Sequence, residues 1–215
     1  MNPVITSFGR GSWYPKGIER LRNSCDQFGV KCTPFLNYPQ GCVTHKETPY
    51  AFKPYCIEAV KKYHDIVLWA DASAWLMNDP HPIFDLIEKQ GYIIFDSGWK
   101  NDQWCSDRQL EAFGFNRDQA ADQKQVVGGL FGIDFRTEIG QTIWKLYWSS
   151  IDLFKGEWDN KHLTESADPR CLGSRHDQSI LSLIVATLDL TITDPMGYFT
   201  FDPNQKHCIF ALQGM

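Results

Sequence analysis

Short apolar runs of strand length recur along this chain, and segments with helical periodicity lie between them. The runs contain few polar residues, unlike the alternating pattern of a half-exposed strand, so we expect strands that are buried on both faces. The runs are Val4 to Phe8, Cys32 to Leu36, Ile66 to Ala70, Tyr92 to Phe95 and Val126 to Ile133. This pattern predicts an α/β fold with a central, mainly parallel mixed sheet that is flanked by helices on both faces.

The segments between the runs carry helical stripes. Ile83 and Ile87 share a helical face just before Gly91, and a glycine at that place is typical of a helix C-terminus. A second stripe runs from Ile139 to Phe154 and a third from Ile180 to Leu188. We therefore expect helices in these segments, packed against the sheet.

The chain has 215 residues, no internal repeat and no linker rich in Ser, Gly or Pro. We expect a single domain over residues 1–215. Two stretches rich in Gly, Pro, Asp and Asn, residues 37–49 and 156–175, are predicted to be mobile loops over a site.

Charge and cysteine content exclude several classes of protein. The net charge is -5 and there is no basic run, which argues against a nucleic-acid partner bound through its phosphates. No apolar run is long enough for a membrane span, and the first residues lack the features of a signal peptide. Seven cysteines without a CxxC pair favour reduced thiols. Together these features predict a cytoplasmic protein.

The first strand ends in "TSFGRGSWYPKG", residues 6–17. Ligands gather at the carboxyl ends of strands in such sheets, because the loops there are free to vary. Gly9 and Gly11 allow a ligand to approach the backbone closely, and Arg10 can face a phosphate or a base. An ordinary glycine-rich turn is the alternative, since neither a P-loop nor a GxGxxG fingerprint is present.

The third strand ends in Asp71 and Ser73, two oxygen-bearing side chains two positions apart. Mg²⁺ and Mn²⁺ bind through one or two carboxylates, with water and substrate phosphates as the other ligands. The turn therefore indicates half of a metal site. The alternative is that both residues cap turn or helix amides, as these residue types often do.

Asp177 lies on the inward face of a predicted helix, in its first turn. It precedes Ile180, Leu181 and Ile184 by three, four and seven positions. A helix N-terminus favours the ionised carboxylate by about 0.3–1 kcal/mol. Such a group suits a base, a nucleophile or a stabiliser of an oxocarbenium ion, and a helix cap is the alternative.

Three segments resemble the GT-A glycosyltransferases. "KPYCIEAVKKYHDIVLWADAS", residues 53–73, resembles the segment that leads into the DxD motif of that superfamily, with Lys53 at the start of a helix. "GGLFGID" (128–134) and "RHDQSILSLI" (175–184) resemble its acceptor-side strand and its helix headed by Asp-Gln. The chain as a whole resembles small GT-A domains encoded by chlorella viruses.

This resemblance implies transfer of a hexose from a nucleotide-sugar donor, usually a UDP-sugar, to an acceptor hydroxyl of a glycan or another molecule. In that family Mn²⁺ or Mg²⁺ bridges the diphosphate to the protein. Ser73 stands where the family commonly has a second Asp, and a hydroxyl is a weaker, neutral ligand. A viral member would act in the host cytoplasm.

The resemblance also assigns residues. It implies that Asp177 is the catalytic acidic residue and that His207 completes a metal shell begun by Asp71 and Ser73, with His176 as the rival histidine. The expected donor-binding residues are Thr6, Ser7, Phe8, Gly9, Arg10, Tyr14, Lys53, Asp71, Ala72 and Ser73. The residues expected on the acceptor or sugar side are Gly129, Asp134, His176 and Gln178.

Two other classes of function remain open at this level. One is a nucleotidyltransferase or nucleotide-sugar hydrolase on a related scaffold, and the other is a catalytically silent module that binds a nucleotide sugar or a glycan. Product analysis separates them, because a transferase releases UDP and forms a glycoside, whereas a silent module binds without turnover.

Overall fold

The computed structural model describes residues 2–155 and 166–213. Residues 156–165, part of the second predicted loop, lie outside the described residues. The strands are β1 Pro3–Phe8, β2 Cys32–Phe35, β3 Ile66–Ala70, β4 Ala74–Leu76, β5 Tyr92–Lys100, β6 Lys124–Asp134, β7 Phe199–Thr200 and β8 Phe210–Leu212. The helices are α1 Tyr14–Gln27, α2 Phe52–Lys61, α3 His81–Gln90, α4 Asn101–Trp104, α5 Asp107–Ala112, α6 Arg117–Asp122, α7 Glu138–Ser149 and α8 Asp177–Thr187.

Among the described residues, five strands form the central sheet in the order β2-β1-β3-β6-β5. β1 pairs in parallel with β2 and β3, whereas β6 is antiparallel to both β3 and β5. Four of these strands therefore point the same way and only β6 is reversed. The predicted mainly parallel mixed sheet is confirmed.

Helices cover both faces of this sheet, as the apolar strands require. Alternate residues of β3 face opposite sides, with Val67 and Trp69 in one core cluster and Leu68 and Ala70 in the other. All four side chains are buried, which explains why the strand shows no polar alternation. Helices α2, α7 and α8 pack on the first face, while α1 and α3 pack on the second.

A small second sheet, β4-β8-β7, lies on the face covered by α1 and α3, and the sequence patterns did not predict it. β4 is antiparallel to β8, and β8 is parallel to β7. Each of its strands has only two or three residues, too few for a period of two to be recognised.

Two predicted helix features have different outcomes. α3 ends at Gln90 and is capped by Gly91, whose φ is 87° and whose N–H donates to the Ile87 carbonyl at 2.7 Å, so the predicted glycine cap is confirmed. The stripe from residue 139 to 154 is not one helix, because α7 ends at Ser149 and a 3-10 turn, Ile151–Phe154, follows. Phe154 packs into the core although it lies beyond the helix, so the apolar sequence pattern continues past the helix end.

No helix of the described part is both long and apolar enough to cross a membrane. The seven cysteines all lie within the described ranges, and each is free, as predicted. The single domain and the cytoplasmic location stay predictions.

Gly91 and Gly114 form a matched pair for testing how α3 packs. Both have positive φ, 87° and 75°. A Cβ on Gly91 would lie 2.5 Å from Cγ2 of Ile139 and 2.7 Å from Oγ1 of Thr137, whereas no described atom lies within 4 Å of one on Gly114.

We expect Gly114→Ala to lower the free energy of unfolding by about 1–2 kcal/mol, the strain of a left-handed alanine. Gly91→Ala should lose about 1–3 kcal/mol more, because it also crowds the core. Urea denaturation measures both losses. Equal losses would contradict the close packing at Gly91.

Candidate active site

Three charged side chains meet at the carboxyl end of β3, and we call them the Lys53 cluster: Lys53, Asp71 and Asp177. Lys53 is in the first turn of α2, Asp71 follows β3, and Asp177 is the first residue of α8. Nζ of Lys53 lies 2.9 Å from Oδ2 of Asp177 and 3.2 Å from Oδ1 of Asp71, and it donates to the Gly128 carbonyl at 2.8 Å. Residues 106 positions apart thus share one ammonium group.

Two glycines of β6 make room for this cluster. The Asp71 backbone N–H donates to the Gly129 carbonyl at 2.8 Å, which extends the β3–β6 ladder by one residue. A Cβ on Gly128 would lie 2.8 Å from Cβ of Gln178 and 3.3 Å from Oδ2 of Asp177. A Cβ on Gly129 would lie 3.0 Å from Oδ2 of Asp71. Glycine at both positions therefore lets α8 and the β3 end approach β6 closely.

Three aromatic residues that the sequence analysis missed surround the cluster. Nε1 of Trp69 donates to Oδ1 of Asp71 at 2.8 Å, and the Tyr147 hydroxyl lies 3.4 Å from Oδ2 of Asp177. The Tyr50 ring centroid is 5.1 Å from Nζ of Lys53. Trp69 precedes Asp71 by two positions on an extended chain, so the sequence could have predicted that both side chains point to the same side of the sheet. No local pattern links the two tyrosines to the cluster.

The ammonium group of Lys53 is paired with two carboxylates, and this pairing shifts the pKa values of the cluster. Burial lowers the pKa of Lys53, but Asp177 and Asp71 outweigh it and raise the pKa above its ordinary value. Burial raises the pKa of Asp177, and Lys53 offsets only part of that shift. Asp177 is 3 % exposed, whereas the Asp71 side chain is 36 % exposed. The cluster thus presents one carboxylate to solvent and keeps the other nearly dry.

Three of the predicted donor-binding side chains are buried in the sheet instead. Thr6 and Ser7 are inaccessible to solvent, and the Thr6 hydroxyl donates to the Thr33 carbonyl at 2.8 Å. The Phe8 ring stacks on Phe52 with centroids 4.4 Å apart. A strand buried on both faces turns its side chains into the protein, and the donor-binding role of Thr6, Ser7 and Phe8 stays a prediction.

The residues after β1 reach the surface at the same sheet edge as the Lys53 cluster, since β1 and β3 are parallel neighbours. Arg10 is exposed, with its guanidinium carbon 5.1 Å from the Tyr38 ring centroid, and Tyr14 is exposed too. A Cβ on Gly9 would lie 2.5 Å from Cγ1 of Ile18. Gly9 therefore serves the packing of α1, while Arg10 and Tyr14 are accessible to a ligand.

The remaining donor-side residues belong to the turn after β3 and the helix beside it. The Lys53 ammonium donates to the Gly128 carbonyl and forms ion pairs with Asp71 and Asp177, so Lys53 positions the two carboxylates. Its expected role in donor binding stays a prediction. Ala72 is buried. The Ser73 carbonyl accepts a hydrogen bond from Nη2 of Arg20 at 2.8 Å, which places an unpredicted cation beside the turn.

The oxygen donors at this turn fit a particular kind of cation site. Within residues 2–155 and 166–213, no group of three or more His, Cys, Asp or Glu side chains is placed to hold a metal ion. The available donors are the exposed carboxylate of Asp71 and the hydroxyl of Ser73. Because Mg²⁺ commonly keeps several waters and completes its shell with substrate phosphates, this set fits a cation shared with a diphosphate. It does not fit a cage made by protein alone.

His207 does not join this turn, which corrects its predicted role as a third metal ligand. β8 runs antiparallel to β4, with Leu212 opposite Ala74 and Phe210 opposite Leu76. The chain before Phe210 therefore extends away from the Asp71 turn, and His207 is exposed at that far end. The resemblance alone had suggested His207, and the direction of β8 decides where it lies.

Asp134 also lies away from the cluster. It pairs with Ile66, the first residue of β3, because β6 is antiparallel to β3. The carboxylate accepts hydrogen bonds from Arg136 at the opposite edge of the sheet from Asp71. Of the predicted acceptor-side strand, only the end with Gly129 reaches the site.

His176 and Gln178 flank Asp177 as the sequence order requires. His176 has a positive φ of 55°, and its Nδ1 lies 2.9 Å from the Phe154 carbonyl oxygen. Nε2 of Gln178 donates a hydrogen bond to Oε1 of Gln125 at 3.0 Å, and the Gln178 side chain is partly exposed. The structure therefore leaves Gln178 as the accessible neighbour of Asp177.

Comparisons with known proteins support the fold. Neither a protein-family model nor a curated protein matches the sequence. Among solved structures, the chain is similar to the crystal structure of a glycosyltransferase involved in the glycosylation of the major capsid of PBCV-1. The TM-score is 0.51 at 14 % identity, over 99 % of this chain and 92 % of that chain. The chain therefore has a glycosyltransferase-like α/β fold.

Lys53→Met tests whether the ammonium holds the cluster together. We expect the free energy of unfolding to fall by about 3–5 kcal/mol, because Asp177 is left buried without its counter-charge. Adding Asp177→Asn should restore part of the loss. The control is Lys124→Met, which removes a surface pair with Asp96 and should change stability by about 0–1 kcal/mol. Urea denaturation of the three variants and the wild type measures these effects.

The loss in Lys53→Met should also depend on pH. The folded-state pKa of Asp177 is raised, so between its unfolded and folded values the native protein binds more protons than the unfolded chain. The free energy of unfolding then falls as pH rises between these two pKa values. Removing Lys53 raises the folded-state pKa further and so widens this pH interval. The variant should lose more at about pH 8 than at about pH 5. An equal loss at both would show that Asp177 carries no uncompensated charge.

Proposed function

We propose that this protein is a metal-dependent glycosyltransferase of the GT-A type that transfers a hexose from a UDP-sugar to an acceptor hydroxyl of a glycan. The observation that carries this proposal is the Lys53 cluster. It sets an exposed carboxylate, Asp71, beside a buried one, Asp177, at the carboxyl edge of the sheet. The likeness to a glycosyltransferase structure supports it.

Asp71 and Ser73 would hold the divalent cation together with the donor diphosphate. When bound, the cation stabilises the negative charge that develops on the departing diphosphate. Arg20 lies against the Ser73 carbonyl, and Arg10 is exposed at the end of β1, so both add positive charge at this edge of the sheet. The uridine would lie toward Arg10 and Tyr38, where a planar base can stack.

Asp177 would act on the sugar. When the bond between the anomeric carbon and the diphosphate breaks, positive charge develops on the sugar ring, and a nearby carboxylate stabilises it. Asp177 is nearly dry, so its charge acts through a low dielectric, and the adjacent Lys53 ammonium favours its ionised form. Gln178 offers a neutral amide for a sugar hydroxyl beside it.

The first test is thermal stability with nucleotides. We expect UDP to raise the melting temperature only when Mn²⁺ or Mg²⁺ is present, since a ligand that binds the native state alone stabilises it, by about 2.7 kcal/mol at 100-fold excess over Kd. Asp71→Asn should abolish the shift. Asp79→Asn, in an exposed carboxylate eight positions away, should keep it. An equal shift by UDP in EDTA would refute the metal-bridged diphosphate.

The second test separates binding from turnover. Asp177→Asn should keep the UDP-dependent shift and lose glycoside formation by about 10²-fold or more, since the charge acts on the sugar. Asp134→Asn, a buried carboxylate at the opposite sheet edge, should keep its turnover per folded molecule. The assay measures UDP release and glycoside formation from a panel of UDP-sugars. Full activity in folded Asp177→Asn would make Asp177 a helix cap, and UDP without glycoside would indicate a hydrolase.

A further inference from the structure

A groove of about 600 Å³ opens beside the Lys53 cluster, where β5 ends and β6 begins. Its wall includes Val127 and Gln178, which are the chain neighbours of Gly128 and Asp177. The volume falls in the range of small-molecule sites in proteins. We call this cavity the β5 groove, and it adjoins the cluster on the side away from β1.

A backbone irregularity places an aromatic ring in the groove. The β5–β6 register shifts between Ile94 and Asp96 and again between Asp96 and Lys100, and Gly98 has a φ of 77°. Such bulges turn a strand end and re-aim its side chains. Here the turn brings Trp99, 38 % exposed, into the groove wall.

A second exposed ring faces the groove from the chain before β8. Phe201 is 68 % exposed and packs edge-on against Phe199, with centroids 5.6 Å apart. Both line the groove. Exposed aromatic surface at a cleft suits ligands that combine an apolar face with polar edges, because the ring covers the apolar face while the polar edges stay hydrated. A pyranose has this character, with C–H bonds on its faces and hydroxyls around its rim.

The charged groups of the groove balance one another. Asp96 pairs with Lys124 at 2.6 Å, and the Arg175 guanidinium lies over the Trp99 ring at 4.8 Å. The Asp194 carboxylate is exposed and accepts the Met196 N–H through Oδ1 at 2.8 Å. These residues give two charges of each sign, which favours a neutral ligand over a phosphate or an acidic sugar. Their carboxylates and the amide of Gln178, which also lines the groove, suit sugar hydroxyls.

We propose that the β5 groove binds the acceptor, and that this acceptor is a neutral oligosaccharide. The assignment of the ligand as the acceptor rests on the proposed glycosyl transfer, whereas binding of a saccharide does not. The sugar rings would pack on Trp99 and Phe201, and the hydroxyl that receives the hexose would lie at the Gln178 end, next to Asp177. Specificity for the acceptor would then come from groove residues that are separate from the donor side.

A glycan array, probed with the labelled protein in the absence of any nucleotide, tests this groove. We expect the wild-type protein to retain neutral oligosaccharides. Trp99→Ala and Phe201→Ala should each weaken that binding by about tenfold, the usual scale for loss of one aromatic contact. Tyr63→Ala is the matched control, because Tyr63 is also 68 % exposed but precedes β3 at the opposite sheet edge. It should bind as the wild type does.

Melting temperatures of the variants, with and without UDP and Mn²⁺, show that they are folded. Phe201 is so exposed that its loss leaves the core intact. The proposal is overturned if the array retains no neutral oligosaccharide, if only acidic glycans are retained, or if both groove variants bind as the wild type does. Glycan binding without any response to UDP would refute the proposed UDP-sugar donor and would still support saccharide binding in the β5 groove. A UDP response without glycan binding would do the reverse.

Discussion

The ammonium group of Lys53 is the interaction on which the arrangement of the site depends. Taking a charged group out of water costs several kcal/mol, so a buried lysine is tolerated only where its hydrogens and its charge are matched. Here the Gly128 carbonyl accepts a hydrogen bond from the ammonium, and the carboxylates of Asp71 and Asp177 balance its charge. This requirement ties α2, the end of β3, β6 and the start of α8 to one point.

The same cation gives its two carboxylates different surroundings. Asp71 is partly exposed and Asp177 is nearly dry, and carboxylates in unlike environments can take unlike roles. The exposed group suits a hydrated cation and its diphosphate, and the buried group suits charge on a sugar. Gly128 lets α8 pack closely against β6 beside the two carboxylates, because a Cβ at this position would lie 2.8 Å from Cβ of Gln178. The proposed donor side, the proposed sugar side and the β5 groove thus lie along the same end of the central sheet.

The parts of the site that depend on local pattern were predictable. Asp71 follows an apolar strand and Asp177 begins an inward helical face, and the structure brings these two together. Asp134 and His207 were misplaced for one reason: Asp134 ends β6 and His207 precedes β8, and the pattern does not encode the direction of either strand. Reversing a strand moves its end residue to the other edge of a sheet, while its apolar pattern stays the same.

The amino-acid sequence by itself determined the layered α/β class, because strands without polar alternation must be covered on both faces and the helical stripes between them supply that cover. It also determined the end of α3, since Gly91 adopts a left-handed conformation that other residues disfavour. Only the tertiary structure decided which groups share the Lys53 ammonium, where β6 and β8 point, and where the β5 groove opens. These features depend on contacts between residues far apart in the chain, and a periodic pattern records burial and not the identity of the neighbour that provides it.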